Sequence, residues 1–119
     1  MVFASATGFT TPSGNIACQV GPTEARCDIR NSAWPDDTRP GRPPDCAGAF
    51  GDALAVSGTD RGDFVCHGDT VFGGGPTLDY GQAARVGGTV CTSRESGVEC
   101  RIDATRHGFS ISRTRYALF

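Results

Sequence analysis

Hydrophobic and polar residues alternate on both sides of a short turn near the start of the chain, as they do in a β-hairpin with one buried face. The turn is the sequence GPTE at residues 21–24, whose residue types are typical of β-turns. Because strand side chains alternate between faces, placing Cys18 opposite Cys27 fixes every other pair. One face then carries Ile16 opposite Ile29, Cys18 opposite Cys27 and Val20 opposite Ala25. The other face carries Asn15, Ala17, Gln19, Arg26, Asp28 and Arg30. We expect this second face to point outward, as the polar side of the hairpin.

The same cysteine spacing returns near the other end of the chain, at Cys91 and Cys100. The equivalent register places Thr89 opposite Ile102, Cys91 opposite Cys100 and Ser93 opposite Val98 on one face. Outside lie Val90 opposite Arg101 and Thr92 opposite Glu99. Gly97 follows the turn at a position where a positive φ is expected. Each ten-residue unit is therefore interpreted as a hairpin whose disulfide joins adjacent strands.

Six cysteines allow fifteen connectivities, and bonds that cross between the hairpins are an alternative that the sequence alone does not exclude. Local pairing is favoured because register, turn residues and the two faces agree with it. Cys46 and Cys66 are the two remaining cysteines and are therefore paired with each other. No C-x-x-C unit is present, so a disulfide framework fits the spacing better than a metal site. We predict no metal and no cofactor.

The remaining segments also lack a helical period. Four prolines between Trp34 and Cys46 favour an extended loop. Short β-prone pieces follow at residues 70–72 and 77–80, and Phe109 and Ile111 alternate with serines near the end. The pattern predicts an all-β domain over residues 9–119, with at most a helical turn or two near residues 47–50. Residues 1–8 are predicted to be a flexible N-terminal segment.

The composition explains why such a chain needs cross-links. Only 38% of its 119 residues are hydrophobic, while 17 are Gly and 7 are Pro, which is typical of a turn-rich fold with a thin core. Disulfides form and persist outside the cytoplasm, so we expect a secreted or extracytoplasmic protein. The start MVFASATGF shows no export signal, which fits a mature form. No apolar run is long enough for a transmembrane segment.

Charge is unevenly distributed along a chain of formal net charge -2. Residues 36–79 contain eight Asp and three Arg, whereas residues 101–119 contain four Arg and Asp103 alone. The basic end either pairs with the acidic middle of its own fold or is presented to an anionic partner. The overall charge argues against nucleic acid as that partner.

Several motifs together resemble a known family. They are FTTPSGNIACQV from Phe9, ARCDI, CHGDT, GGTVCTSRESGVECRI and the closing HGFSISRTRYALF. The chain resembles a family of small exported actinobacterial proteins of unknown function that carry a Ser-Gly-Asn-Ile-x-Cys motif. The resemblance implies export, paired cysteines and a single domain. It brings no activity and no catalytic residues.

Two histidines, each followed by glycine, are the groups most suited to acid–base chemistry near neutral pH. His67, Asp69 and His107 could form an acid–base or metal cluster if their strands are neighbours. The alternative, which we favour, is that Asp69 caps a turn and the histidines bond to backbone groups. No catalytic residue is assigned, since no nucleophile accompanies the three, and Ser13 lies in no G-x-S-x-G elbow.

Other residues are candidates for binding. The RGD sequence of Arg61 to Asp63 is predicted at a hairpin tip, where an adhesion motif would be displayed. Trp34 is either a contact residue in the Pro-rich loop or a lid over the core. The candidate binding residues are Trp34, Arg61, Asp63, His67, Asp69, Arg106, His107, Arg113 and Arg115.

We therefore expect an exported, non-enzymatic binding module. Its candidate partners are an extracytoplasmic protein or an anionic envelope polymer. The alternatives are an inhibitor of a secreted hydrolase, with a loop held rigid by Cys46–Cys66, and a small enzyme that uses His67, Asp69 and His107.

Overall fold

The structure is a computed structural model that describes residues 8–35, 39–73 and 75–119, together with the backbone of residues 3–4. These ranges contain eleven β-strands and no helix. The strands are β1 (Phe3–Ala4), β2 (Gly8–Thr10), β3 (Ile16–Gly21), β4 (Glu24–Ile29), β5 (Ala53–Ser57), β6 (Asp63–Phe64), β7 (Ala83–Val86), β8 (Thr89–Arg94), β9 (Gly97–Ile102), β10 (Gly108–Ile111) and β11 (Tyr116–Leu118). The predicted all-β fold is confirmed.

The strands form two sheets that pack face to face. One sheet has six strands in the order β1-β7-β8-β9-β10-β11, and the other has five in the order β2-β3-β4-β5-β6. Every pair of neighbouring strands is antiparallel except β1 and β7, which run parallel. Because most neighbours are joined by short turns, these turns gather at the two ends of the sandwich.

The predicted registers of both cysteine hairpins are confirmed at every pair. All three predicted disulfides form: Cys18–Cys27 between β3 and β4, Cys91–Cys100 between β8 and β9, and Cys46–Cys66. Gly97 has a φ of 126°, and a Cβ there would collide with the backbone oxygen of Ile111. The turn glycine is thus required both by its conformation and by the neighbouring strand.

The core lies between the two cysteine faces. Phe9, Phe109, Leu54, Ile111, Val56 and Val98 are the largest fully buried apolar side chains. At its centre the disulfides of the two sheets touch, with 3.6 Å between Cys27 Sγ and Cys100 Sγ. The sulfurs of Cys18, Cys27 and Cys100 cluster closely, but all are bridged and carry no thiolate charge to hold a metal.

Some local expectations are wrong. The helical turn near residues 47–50 does not form, because the backbone of Ala49 pairs with that of His67. The β-prone pieces 70–72 and 77–80 form no strand, although Thr77 makes one parallel bridge to Thr10. The outer face of the first hairpin is also partly covered, since Ala17 and Asp28 are both buried.

The predicted flexible segment, residues 1–8, falls largely outside the described residues. Of the positions that are described, Phe3–Ala4 form β1 and Gly8 begins β2. The flexibility of the segment stays a prediction.

Candidate functional site

Part of the outer face of the five-stranded sheet is covered by residues 66–73, which we call the covering segment. Asp28 projects from β4 on this face and is 3% exposed. One of its carboxylate oxygens accepts a hydrogen bond from the Val71 backbone, at 3.2 Å. The covering segment therefore adds a backbone donor to the hydrogen bonds of this buried carboxylate.

Arg26 ties the covering segment to the sheet. Its guanidinium donates two parallel hydrogen bonds to Asp28, at 2.9 and 3.0 Å, and a third to the Asp69 carboxylate, at 2.9 Å. This bidentate geometry is the strong form of an ion pair. The hydrogen bond from Arg26 holds the pKa of Asp69 below its usual value.

The His67 ring makes two hydrogen bonds, one through each nitrogen. Its Nδ1 lies 2.6 Å from the Asp69 backbone oxygen, and its Nε2 lies 2.7 Å from Asp52 Oδ1. The carbonyl oxygen can only accept, so Nδ1 donates, and the charged form of the ring donates to the Asp52 carboxylate as well. Burial of the ring alone would lower its pKa, but the bonds to Asp52 and to the Asp69 carbonyl outweigh burial and raise the pKa of His67. In that charged form, neither ring nitrogen has a lone pair for a proton or a metal.

The structure brings His67 and Asp69 together and places His107 elsewhere. His107 lies in the turn between β9 and β10 of the other sheet, where its backbone bonds to Thr105 and Ile102. Among the described residues, no hydrogen bond or ion pair joins His107 to the other two. The contacts of His67 and Asp69 are those of a structural support for the covering segment.

The RGD sequence is held against the sheet on one side. Arg61 and Asp63 are exposed, but Gly62 is buried, and its N–H donates to the Phe119 backbone oxygen, at 3.0 Å. A Cβ at Gly62 would collide with the backbone oxygen of Gly108. Asp63 belongs to β6 and pairs with Ala55, so the tripeptide does not stand free as a tip.

Trp34 is a core residue, 3% exposed. Its indole N–H donates to the Ser112 backbone oxygen, at 2.7 Å, and its ring packs on those of Tyr116 and Phe64. In this position the side chain closes one edge of the sandwich and offers little surface to a partner.

A concave surface lies at one end of the sandwich, and we call it the loop-end cleft. Five connections meet there: the β2–β3 turn, the chain after β4, the chain before β7, the β8–β9 turn and the β10–β11 turn. The cleft has a volume of about 410 Å³. Among the described residues, its charged lining consists of Arg30, Arg94, Arg113 and Glu95, and Tyr80 contributes an aromatic ring that is 43% exposed.

The Ser-Gly-Asn motif frames this cleft. The amide of Asn15 clamps the backbone of Asn31, donating to its oxygen at 3.0 Å and accepting from its N–H at 2.9 Å. Ser13 Oγ accepts from the Asn15 N–H and lies 3.3 Å from Thr11 Oγ1. These residues hold the turn and the end of β4 together, and Ser13 has a structural partner instead of a catalytic base.

Of the candidate binding residues, Arg113 lines the cleft. Arg115 lies beside it in the same turn, while Arg61 and Arg106 lie in turns at the opposite end of the sandwich. Sequence reasoning missed Arg30, Arg94 and Tyr80, because they lie far apart in the chain and only the topology brings them together. Within the described residues, no ion pair joins the basic C-terminal segment to the acidic middle. Asp103 instead pairs with Arg85 and Arg101.

Comparison with known proteins identifies a family model, described as a family of unknown function, that matches residues 2–119. This confirms the predicted membership of a family without an assigned function. No curated protein and no solved structure matches the chain.

Proposed function

Because the chain belongs to this family of unknown function, DUF6636, we propose its role from its own surface: an exported, non-enzymatic module that binds a partner through the loop-end cleft. The observation that carries the proposal is the convergence of five connections from both sheets on one open cleft containing three guanidinium groups. Loops held by a rigid scaffold are where proteins usually place binding residues.

Export is supported by the cysteines. All six are bridged, and such a framework is typical of proteins that fold in an oxidising compartment. No helix in the described part of the chain could cross a membrane. Secretion and an actinobacterial source remain part of the proposal.

A binding role is favoured over catalysis by the state of the polar side chains. Both ring nitrogens of His67 are engaged in hydrogen bonds, and the Ser13 hydroxyl is engaged within its own turn. Neither arrangement pairs a nucleophile with a base, which acyl transfer and related reactions require.

The test is to map the contact surface in solution. Amide spectra of the isotopically labelled protein are recorded while an extracytoplasmic envelope fraction from the source organism is added. We expect shifts at Asn31, Gly97 and Ser112, around the cleft, and none at Gly87 or Ala104, at the opposite end. Shifts confined to the opposite end would contradict the proposal, as would turnover of a component of the fraction.

The inhibitor alternative is separated by a second measurement. A tight complex with a secreted protease or glycosidase that persists at high salt, and that leaves the cleft amides unmoved, would replace the proposed role with inhibition through the Pro-rich loop.

A further inference from the structure

The three arginines of the loop-end cleft reach it from different parts of the fold. Arg30 follows β4 of the five-stranded sheet, whereas Arg94 ends β8 and Arg113 lies in the β10–β11 turn of the six-stranded sheet. Glu95 is the one carboxylate among the described residues that line the cleft. On a chain of net charge -2, the cleft is thus a local excess of positive charge that attracts anions.

The three guanidinium groups keep donors for a ligand. Arg94 is 52% exposed and lies 3.9 Å from Glu99, a loose surface pair that holds it weakly. Arg30 stacks its face on the Phe72 ring, at 4.1 Å from the centroid, which leaves the N–H groups at its edge available. The Arg113 side chain makes no hydrogen bond or ion pair with the rest of the described structure.

Planar guanidinium groups bind carboxylates and phosphates through two parallel hydrogen bonds. Three guanidinium groups around one cleft are better suited to a ligand with several oxyanion groups than to a ligand with a single oxyanion. Because the cleft is open, a chain of anionic units can lie across it with one unit inside.

The uncharged lining suits a hydroxylated ligand. The Tyr80 ring offers an exposed face, and the exposed Asn31 side chain offers an amide that both donates and accepts. A volume of about 410 Å³ is within the usual range for small-molecule sites, roughly 300 to 1,000 Å³. Nucleic acid fits less well, because single strands are bound on several aromatic platforms along a basic groove, whereas the described lining of this cleft contains one aromatic ring.

We infer, building on the proposed function, that the loop-end cleft binds an anionic polysaccharide through Arg30, Arg94 and Arg113. The recognised chemistry is an oxyanion, carboxylate or phosphate, repeated along a chain of sugars, with Tyr80 against a sugar ring.

The test is calorimetric titration of the whole protein with polygalacturonate, phosphomannan and their neutral counterparts, dextran and mannan. We expect binding to one or both anionic chains, none to the neutral ones, and a steep loss of affinity between about 0.05 and about 0.5 M NaCl. Binding to one anionic chain alone identifies the oxyanion.

Variants assign the site. Arg30→Ala, Arg94→Ala and Arg113→Ala are each expected to weaken binding by about fivefold to tenfold. The matched controls, Arg61→Ala and Arg106→Ala at the opposite end, are expected to bind like the wild type. All five positions are exposed, so unchanged thermal midpoints check that the variants fold.

Three results would overturn the inference: equal binding to neutral chains, preference for polyglutamate or single-stranded DNA over both anionic polysaccharides, or equal losses in the controls. If the envelope fraction still shifts the amides of the cleft while no polysaccharide binds, the proposed function stands and this inference fails. If neither occurs, both fail.

Discussion

The two cysteine hairpins are alike on their inner faces and differ on their outer ones. Both have the same register and the same cross-strand disulfide. Yet Asp28, which follows the second cysteine of the first hairpin, is buried under the covering segment. Arg101, at the equivalent position of the second hairpin, has a side chain that is 37% exposed. The repeated pattern therefore determines which side chains face the core. The environment of each outer face depends on contacts with other segments of the chain.

The charged side chains on the outer faces also differ between the two hairpins. The first hairpin has Arg26 and Asp28 on either side of its cysteine, and these two side chains bind each other. The second has Glu99 and Arg101, the opposite order of charge, and their partners are Arg94 and Asp103 at 3.9 and 3.7 Å. Burial under the covering segment makes the pair of Arg26 and Asp28 short and bidentate, whereas the two pairs made by Glu99 and Arg101 stay long and exposed to solvent.

The largest expected effect tests what the hairpins share. Replacing Cys18 and Cys27 by Ala, or Cys91 and Cys100 by Ala, should lower the free energy of unfolding by about 2.7 kcal/mol in each case, since each bridge closes a loop of ten residues. Urea denaturation measures both. A much larger loss for one pair would show that the two bridges do not play equivalent parts.

A smaller effect on the free energy of unfolding is expected from substitutions on the outer faces, where the two hairpins differ. Asp28→Ala removes the acceptor of two Arg26 hydrogen bonds and of the Val71 N–H, although Arg26 keeps its bond to Asp69. It should lower the free energy of unfolding by about 2 kcal/mol. The equivalent change in the second hairpin, Arg101→Ala, should alter it by no more than about 0.5 kcal/mol. The same denaturation measurements compare the two variants, and equal losses would mean that the covering segment contributes nothing to the first hairpin.

The smallest effect concerns pH. The pKa of His67 is raised above its ordinary value of 6.5 in the folded protein. Its contribution to stability is therefore complete below pH 6.5 and is lost as the pH rises through the folded-state pKa. We expect wild-type stability to fall over this interval, and His67→Gln to remove that fall. The matched control, His107→Gln, should retain it. Denaturation at a series of pH values gives the slope, and a wild-type slope that survives in His67→Gln would rule out His67 as its source.

The hairpins were predictable because their information is local. Alternation, turn residues and cysteine spacing within ten residues together fix which side chains face each other, and pairs such as Ile16 with Ile29 follow directly. The third bridge, Cys46–Cys66, followed by subtraction once the other two were assigned.

The candidate sites were less predictable because they depend on contacts between distant segments. Asp28 looks like a surface residue until residue 71 is known to lie above it, and Arg30 and Arg113 come to line one cleft only once both sheets are assembled. His67 was found from its residue type, but its role depends on Asp52, fifteen positions earlier, which no spacing rule indicates.

Cys27 Sγ and Cys100 Sγ are in contact at the centre of the sandwich. The contributions of the two disulfides to the free energy of unfolding are therefore expected to be coupled. Removing either one takes away atoms against which the other packs, so energies measured for the two losses separately need not sum to the energy of losing both. Substitution at one disulfide thus changes the energetic cost of substitution at the other, and the two hairpins constrain each other's sequence.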